Sequence, residues 1–175
     1  MATIASSVTT DSSSFRFACS RFATGVTVVT SLRPDATPVG MTVSSFTPVS
    51  LEPALVLVCL QRSCSIFNDL VEFGRFGLNI LASHQQALSI RFSARDTERF
   101  EGIEWRRGAN GVPLLSGVLA TMECDLDQVY ACGDHQILIG KVSDISTHVG
   151  APLIRFSSAY HSLERGSLSH FFERP

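Results

Sequence analysis

The sequence predicts a mainly β domain in which six or seven antiparallel strands form a closed or nearly closed barrel, with two or three short helices at its ends. Runs of apolar and β-branched residues outnumber helical patterns along the chain. Strands and helices do not alternate regularly, which disfavours a parallel α/β fold. Closure into a barrel would remove the exposed edges that so much β-branched sequence otherwise leaves.

The composition indicates one compact domain. The chain has 175 residues, of which 45% are hydrophobic and 17% charged, enough for a proper core. A net charge of −2 argues against nucleic acid as a partner, because nucleic-acid binding needs a concentrated basic surface. No apolar run approaches the length of a membrane span. The five cysteines form no Cys-x-x-Cys pair, and the spacing Cys132-x-x-His135 has no second pair beside it, so neither a disulfide framework nor a metal site is expected.

The chain divides into a central domain and two tails. Residues 1–14 are small and polar and lack the basic start and apolar centre of a secretory signal, so we expect a flexible tail on a cytoplasmic protein. The domain is expected over 15–163, and 164–175 form a C-terminal tail.

The predicted elements follow from apolar periodicity and turn residues. The predicted strands are 26–30, 40–47, 54–60, 76–81, 119–130, 136–145 and 153–156, and the predicted helices are 15–22, about 65–73 and 84–92. The apolar run 54–60 does not alternate, which is typical of a central strand covered on both faces. The charged, glycine-containing stretch 95–117 is expected to be a loop.

Two hydroxyl-rich segments at strand edges, 39–47 and 60–65, are candidate ligand-binding elements. Serine and threonine hydroxyls, Arg62 and free backbone N–H groups can hold phosphate and ribityl oxygens, while apolar neighbours line a flat ring. The residues alone leave alternatives open. Ser44 and Ser45 also fit the polar outer face of an edge strand, and Arg62 also fits a surface salt bridge.

The sequence lacks the common nucleotide and nucleophile motifs. No G-x-G-x-x-G follows a predicted strand, and neither a P-loop nor a G-x-S-x-G elbow occurs. Gly133 and Asp134 predict a tight turn between two long strands. His135 follows this turn, beside a carboxylate that affects its charge, and fits either a plain turn residue or an acid–base group.

Four motifs lie in order along the chain: FATGVTVVT at 22–30, GMTVSSF at 40–46, LVCL at 57–60 and GDH at 133–135. Together they resemble the short-chain flavin reductases, the reductase components of two-component flavin-dependent monooxygenases, over about 15–163. The resemblance implies a split β-barrel of Greek-key antiparallel topology, usually a homodimer with its flavin sites near the subunit interface. It also implies hydride transfer from NADH or NADPH to FMN or FAD, with the reduced flavin diffusing to a partner monooxygenase.

The resemblance also implies the site residues. The flavin-binding set is Gly40, Met41, Thr42, Val43, Ser44, Ser45, Thr47, Leu60, Gln61, Arg62, Ser63, Ser65, Arg91, Phe92 and Ser93. The nicotinamide side is Gly133, Asp134, His135 and Tyr160. His135 is the predicted catalytic residue, which positions the dinucleotide and relays a proton. Cys64 departs from the pattern, because related sequences commonly carry a small polar residue in this turn.

Two other functions remain open at this point. One is an oxidase of the pyridoxamine-phosphate-oxidase-like type, in which FMN stays bound and acts on a second substrate. The other is a flavin-binding barrel without catalysis, although a carrier has no evident use for the Gly133-Asp134-His135 turn. The choices between FMN and FAD and between NADH and NADPH are open as well.

Overall fold

Most of the chain forms antiparallel sheet. A computed structural model provides the structure and describes residues 11–95 and 98–163. The strands are β1 Thr24–Gly25, β2 Thr27–Leu32, β3 Pro38–Val43, β4 Thr47–Leu51, β5 Ala54–Gln61, β6 Arg75–Ile80, β7 Trp105–Arg107, β8 Pro113–Leu115, β9 Ala120–Cys132, β10 His135–Thr147, β11 Ile154–Phe156 and β12 Ala159–His161. The helices are α1 Ser12–Ser20, α2 Phe67–Phe73 and α3 Gln86–Ser93, the last preceded by a 3-10 turn, Ser83–Gln85. The predicted mainly β antiparallel fold is confirmed.

The main sheet has seven strands in the order β3-β2-β6-β9-β10-β5-β4, so β3 and β4 lie at its opposite edges although they are consecutive in the chain. Residues 44–46 carry the chain from one edge to the other. Ser45 Oγ accepts a hydrogen bond from the Cys59 N–H (2.9 Å) and donates one to the Cys59 carbonyl (3.0 Å). This side chain therefore joins the end of β3 to β5 and closes the sheet into a barrel.

The core has two parts, one on each face of β2. Val29 packs inside the barrel with Val58 and Phe76, and Val28 packs outside it with Phe92 of α3. All six residues of β2 are buried. β2 is thus covered on both faces, as are residues 76–79 of β6, and the prediction of a central strand over 54–60 is wrong.

The apolar run of β5 has a different cause. Val56, Val58 and Leu60 are buried, whereas the alternate residues from Leu55 to Cys59 are half-buried. β5 lies next to the edge strand β4. On its half-buried face, Cys59 lines a cavity described below.

The first helix begins before the predicted domain boundary. The Asp11 side chain caps α1 by accepting hydrogen bonds from the backbone N–H groups of Ser13 and Ser14. Hydrogen bonds from these two residues lower the pKa of Asp11 to about 2, and the largest contributions come from the hydroxyl and the backbone N–H of Ser13. Residues 12–14, expected in the tail, therefore form the first turn of a helix. The rest of the predicted tails, 1–10 and 164–175, lies outside the described residues.

The stretch 95–117, which was predicted to be a loop, contains a hairpin, because β7 and β8 pair with each other. The buried carboxylate of Glu123 accepts hydrogen bonds from the N–H groups of Ala109 (3.0 Å) and Asn110 (2.7 Å) at the hairpin's tip. Trp105 packs edge-on against Phe100, with ring centroids 5.9 Å apart. These contacts come from distant residues, so local composition does not indicate them.

Three further features concern cysteines, ligands and membranes. All five cysteines are free. In the part of the chain that the structure describes, no three side chains of His, Cys, Asp and Glu gather into a group that could hold a metal ion. No helix in the same residues has both the length and the apolarity to cross a membrane.

Candidate functional site

A cavity of about 580 Å³ lies beside the point where the barrel closes. Its volume is within the range of small-molecule binding sites, about 300–1,000 Å³. Three parts of the chain form its walls. The first wall is residues 41–45, at the end of β3 and just after it. The second is residues 59–61 of β5 with His135 of β10. The third consists of residues 155–158 together with Cys19, Ser20, Phe22 and Thr24.

Eight of the predicted site residues meet in this cavity: Met41, Thr42, Val43, Ser44, Ser45, Leu60, Gln61 and His135. Their hydroxyls differ in what they already bind. The Thr42 hydroxyl donates to the Ser89 carbonyl of α3 (2.8 Å), and the Ser45 hydroxyl holds Cys59. Ser44 is exposed, and its hydroxyl makes no hydrogen bond within the described residues. Among these eight predicted residues, it therefore carries the hydroxyl best placed to bind a ligand.

His135 stands at the cavity rim with one ring nitrogen already engaged. Its Nδ1 lies 2.7 Å from Asp134 Oδ1, and the hydrogen bond from His135 is the main cause that holds the pKa of Asp134 below its usual range. Because an ionised carboxylate only accepts hydrogen bonds, Nδ1–H donates to it. Nε2 is then the nitrogen left for a ligand.

The two predicted turns adjoin each other at this rim. Gln61 pairs with His135 across β5 and β10, and the Arg62 N–H donates to the Asp134 carbonyl (3.0 Å). The turn residue Gly133 has a φ of +60°, which suits glycine. The predicted phosphate turn and the predicted nicotinamide turn therefore form one continuous edge, on which the Arg62 side chain is exposed.

A smaller recess of about 60 Å³ lies at the start of β3 and contains Gly40 and Ser65. Arg33, Arg95 and Arg99 also line it. Arg99 Nη1 donates to the Gly40 carbonyl (2.6 Å), and Arg33 pairs with a carboxylate of α2. A recess with three guanidinium groups and a serine matches the chemistry of a phosphate.

Six predicted flavin-binding residues lie outside both spaces, among them Arg62 and Ser63 of the turn 62–65. Phe92 is fully buried in the core, and the Ser93 hydroxyl donates to the Ser89 carbonyl (2.8 Å). Arg91 lines a separate cavity of about 530 Å³, and Thr47 is exposed at the start of β4. The stretch 91–93 does not form the single wall that the resemblance implied, because consecutive residues of a helix point about 100° apart.

Tyr160 does not line the large cavity, but it contacts Arg155, which does. Its hydroxyl is 2.8 Å from Ser89 Oγ, and its ring carries the guanidinium of Arg155, whose Cζ is 4.6 Å from the ring centroid. Arg155 lines the cavity and was missed by the sequence reasoning. The strand 153–156 was predicted, but its placement depends on pairing with β1, where Thr24 lies opposite Arg155. No local signal indicates a pairing over that separation.

An antiparallel barrel with a hydroxyl-lined cavity of this size is typical of β-barrel proteins that bind small molecules. Residues 19–164 match the family model described as the flavin reductase like domain. The chain therefore belongs to the flavin reductase-like family, whose members are oxidoreductases that act on flavin.

Individual relatives agree with this assignment. The chain is 41% identical over 133 residues to a probable flavin reductase of Rhizobium meliloti, covering 76% of this chain and 43% of that protein. It is 38% identical over 151 residues to the reductase subunit of a flavin-dependent monooxygenase from Rhodococcus jostii, covering 86% of this chain and 77% of the relative. A solved NADH:FAD oxidoreductase of Streptomyces globisporus, in complex with NAD and FAD fragments, superposes with a TM-score of 0.84 at 30% identity and covers 89% and 94% of the two chains.

Proposed function

We propose that this protein is an NAD(P)H-dependent flavin reductase that transfers hydride from NADH or NADPH to FMN or FAD. One observation carries the proposal: the segments 41–45 and 59–61 and the residue His135 line a single cavity of about 580 Å³. The Streptomyces relative that resembles this chain over most of its length is named an NADH:FAD oxidoreductase. The flavin is a substrate in this proposal.

The two spaces along β3 divide the flavin between them. The isoalloxazine ring lies in the larger cavity against Met41 and Val43, and the Ser44 hydroxyl is available to its polar edge. The phosphate lies at the turn 62–65, where the exposed Arg62 and the recess containing Arg95 supply positive charge.

The protein works mainly by positioning. Hydride passes as a proton with an electron pair from C4 of the nicotinamide to N5 of the flavin, so the two rings must stack at near-attack distance. No pair of carboxylates is needed for this step. His135, oriented by Asp134, positions the dinucleotide and exchanges a proton through Nε2.

We further propose a homodimer that supplies reduced flavin to a partner monooxygenase. Large apolar side chains are exposed at the tip of β9, where Val129 is 38% and Tyr130 53% exposed, and on β4, where Leu51 is 98% exposed. Surfaces of this kind favour association. The Rhodococcus relative is named as the reductase subunit of a monooxygenase. Sedimentation equilibrium measures the oligomeric state, and a monomer at assay concentration would contradict the dimer.

The activity is tested by following NADH and NADPH oxidation through the loss of reduced-nicotinamide absorbance, with FMN, FAD and riboflavin as acceptors. The proposal predicts rapid oxidation that depends on added flavin. No flavin-dependent oxidation of either dinucleotide would overturn it. Flavin that stays bound through gel filtration, with slow turnover of added flavin, would favour the FMN-retaining oxidase instead.

The role of His135 is tested with His135→Ala. We expect a higher KM for the dinucleotide and a lower turnover number, by about tenfold or more together, as is typical of a lost general acid–base or positioning group. His148→Ala is the matched control, because His148 is exposed and does not line this cavity. Unchanged KM and turnover in His135→Ala would remove His135 from the mechanism.

A further inference from the structure

Arg155 is a permanently charged side chain in the wall of the large cavity. It lies on β11, is half-buried, and makes no hydrogen bond within the described residues. The guanidinium lies over the face of the Tyr160 ring, with Cζ 4.6 Å from the ring centroid. A guanidinium has five N–H donors and strongly prefers an anionic partner when it is removed from bulk water.

The Tyr160 ring, on which the Arg155 guanidinium packs, is linked to the cavity wall by hydrogen bonds through Ser89. The Tyr160 hydroxyl is 2.8 Å from Oγ of the fully buried Ser89. The carbonyl of the same Ser89 accepts the hydroxyl of Thr42, which lines the cavity (2.8 Å). The cation–π contact then holds the guanidinium over a ring that cannot easily move. Arg155 is therefore held in position before a ligand arrives.

The charges around the cavity indicate what Arg155 binds. None of the described residues that line the cavity is Asp or Glu, so Arg155 has no anionic partner there. The flavin phosphate is assigned above to the turn 62–65, which follows a different wall of the cavity. With FMN as the acceptor, the remaining anionic groups of the reacting pair are the phosphates of the hydride donor.

We propose that Arg155 binds a phosphate of the nicotinamide dinucleotide and thereby holds the donor in the cavity. This inference rests on the proposed function. The phosphate has two possible sources, the pyrophosphate that NADH and NADPH share and the 2′-phosphate that NADPH alone carries. Arg155 is a binding residue in this scheme, and hydride transfer does not require its charge.

The test compares Arg155→Met with the parent protein using three hydride donors: NADH, NADPH and 1-benzyl-1,4-dihydronicotinamide, which has no phosphate. We expect kcat/KM to fall about ten- to a hundredfold with a phosphate-bearing donor, mainly through KM, because a charge-assisted hydrogen bond is lost. The value with the phosphate-free donor should stay unchanged. A loss with both dinucleotides assigns the pyrophosphate, and a loss with NADPH alone assigns the 2′-phosphate.

Two variants accompany Arg155→Met. Arg155→Lys keeps the charge without the guanidinium fork and should retain part of the affinity for the dinucleotide. Arg106→Met removes an exposed arginine of β7 that lies outside the cavity and should leave all three rates unchanged.

The outcomes separate this proposal from the proposed function. An equal loss with all three donors would overturn the phosphate role, because it would mean that Arg155 acts on the flavin or on the fold. No loss with either dinucleotide would overturn it as well. A parent protein that oxidises none of the donors in the presence of flavin would instead contradict the proposed function.

Discussion

The hydroxyl of Ser45 binds both backbone polar groups of Cys59, accepting from its N–H at 2.9 Å and donating to its carbonyl at 3.0 Å. A single side chain thus replaces a strand–strand pairing where the barrel closes. Both residues also line the large cavity. The closure of the sheet and the shape of the site therefore depend on the same hydrogen bonds.

Ser45→Ala is expected to lower the free energy of unfolding, because it leaves the N–H and carbonyl of Cys59 without their partner. A buried polar group that loses its hydrogen bond costs about 1–3 kcal/mol, and the half-buried Cys59 should lie at the low end of that range. Ser44→Ala is the matched control, since the neighbouring hydroxyl has no partner within the described residues. Urea unfolding should separate the two variants. A Ser44→Ala variant as unstable as Ser45→Ala would contradict the closure role.

Gly40→Ala should destabilise the protein through Phe92. A Cβ at position 40 would lie 2.9 Å from Phe92 Cε1 and 3.0 Å from the Val29 carbonyl oxygen, and overpacking of this kind costs about 1–3 kcal/mol. Gly25→Ala is the control, because a Cβ there meets no atom within 4 Å. Thermal unfolding should also show that Phe92→Leu recovers part of the loss in the Gly40→Ala background. Strictly additive effects would contradict a direct contact.

The cysteines should differ in their rates of alkylation. Burial raises the pKa of the Cys124 thiol to about 12, so about one thiol in ten thousand is ionised at pH 8. Burial also raises the pKa of Cys59 and of Cys64. Cys19 and Cys132 are exposed. Mass spectrometry after brief iodoacetamide treatment should find the two exposed cysteines modified first and Cys124 only after unfolding. Early modification of native Cys124 would contradict its burial.

The assignment of the phosphate turn predicts a selective loss of affinity. The double variant Arg62→Ala with Ser63→Ala should bind FMN about tenfold more weakly, because two polar contacts to phosphate are removed. Riboflavin lacks the phosphate and should bind as it does to the parent. Calorimetric titration with the two flavins checks this. If FMN and riboflavin both keep their parental affinities, the phosphate lies elsewhere.

Local patterns were sufficient to predict most of the strands and the turn at Gly133. β-branched runs and turn residues act over a few positions, so the hairpin of β9 and β10 and the short hairpin of β2 and β3 follow from the sequence. The resemblance then implied which of these segments bind the flavin, and that assignment stays a prediction. Eight of the residues it implied line the large cavity.

The parts of the fold and of the site that the sequence did not predict depend on tertiary contacts. Thr42 and Ser45 are hydroxyl residues of the predicted segment, but their hydroxyls bind Ser89 and Cys59, and nothing near them in the sequence reveals this. Arg155 reaches the cavity because β11 pairs with β1, a contact between the two ends of the domain. Such pairings are set by the packing of the whole barrel and have no local signature.

The central claim is that the large cavity is the flavin site, and a variant that fills the cavity tests it most directly. Ser44 is exposed in the cavity wall, so Ser44→Trp should fold while its indole occupies the space of the flavin ring. Thr147→Trp adds the same side chain at an exposed position of β10 outside the cavity. We expect calorimetric titration with FMN to show binding to the parent and to Thr147→Trp, and at least a tenfold loss of affinity in a folded Ser44→Trp. Parental affinity for FMN in Ser44→Trp would contradict the account.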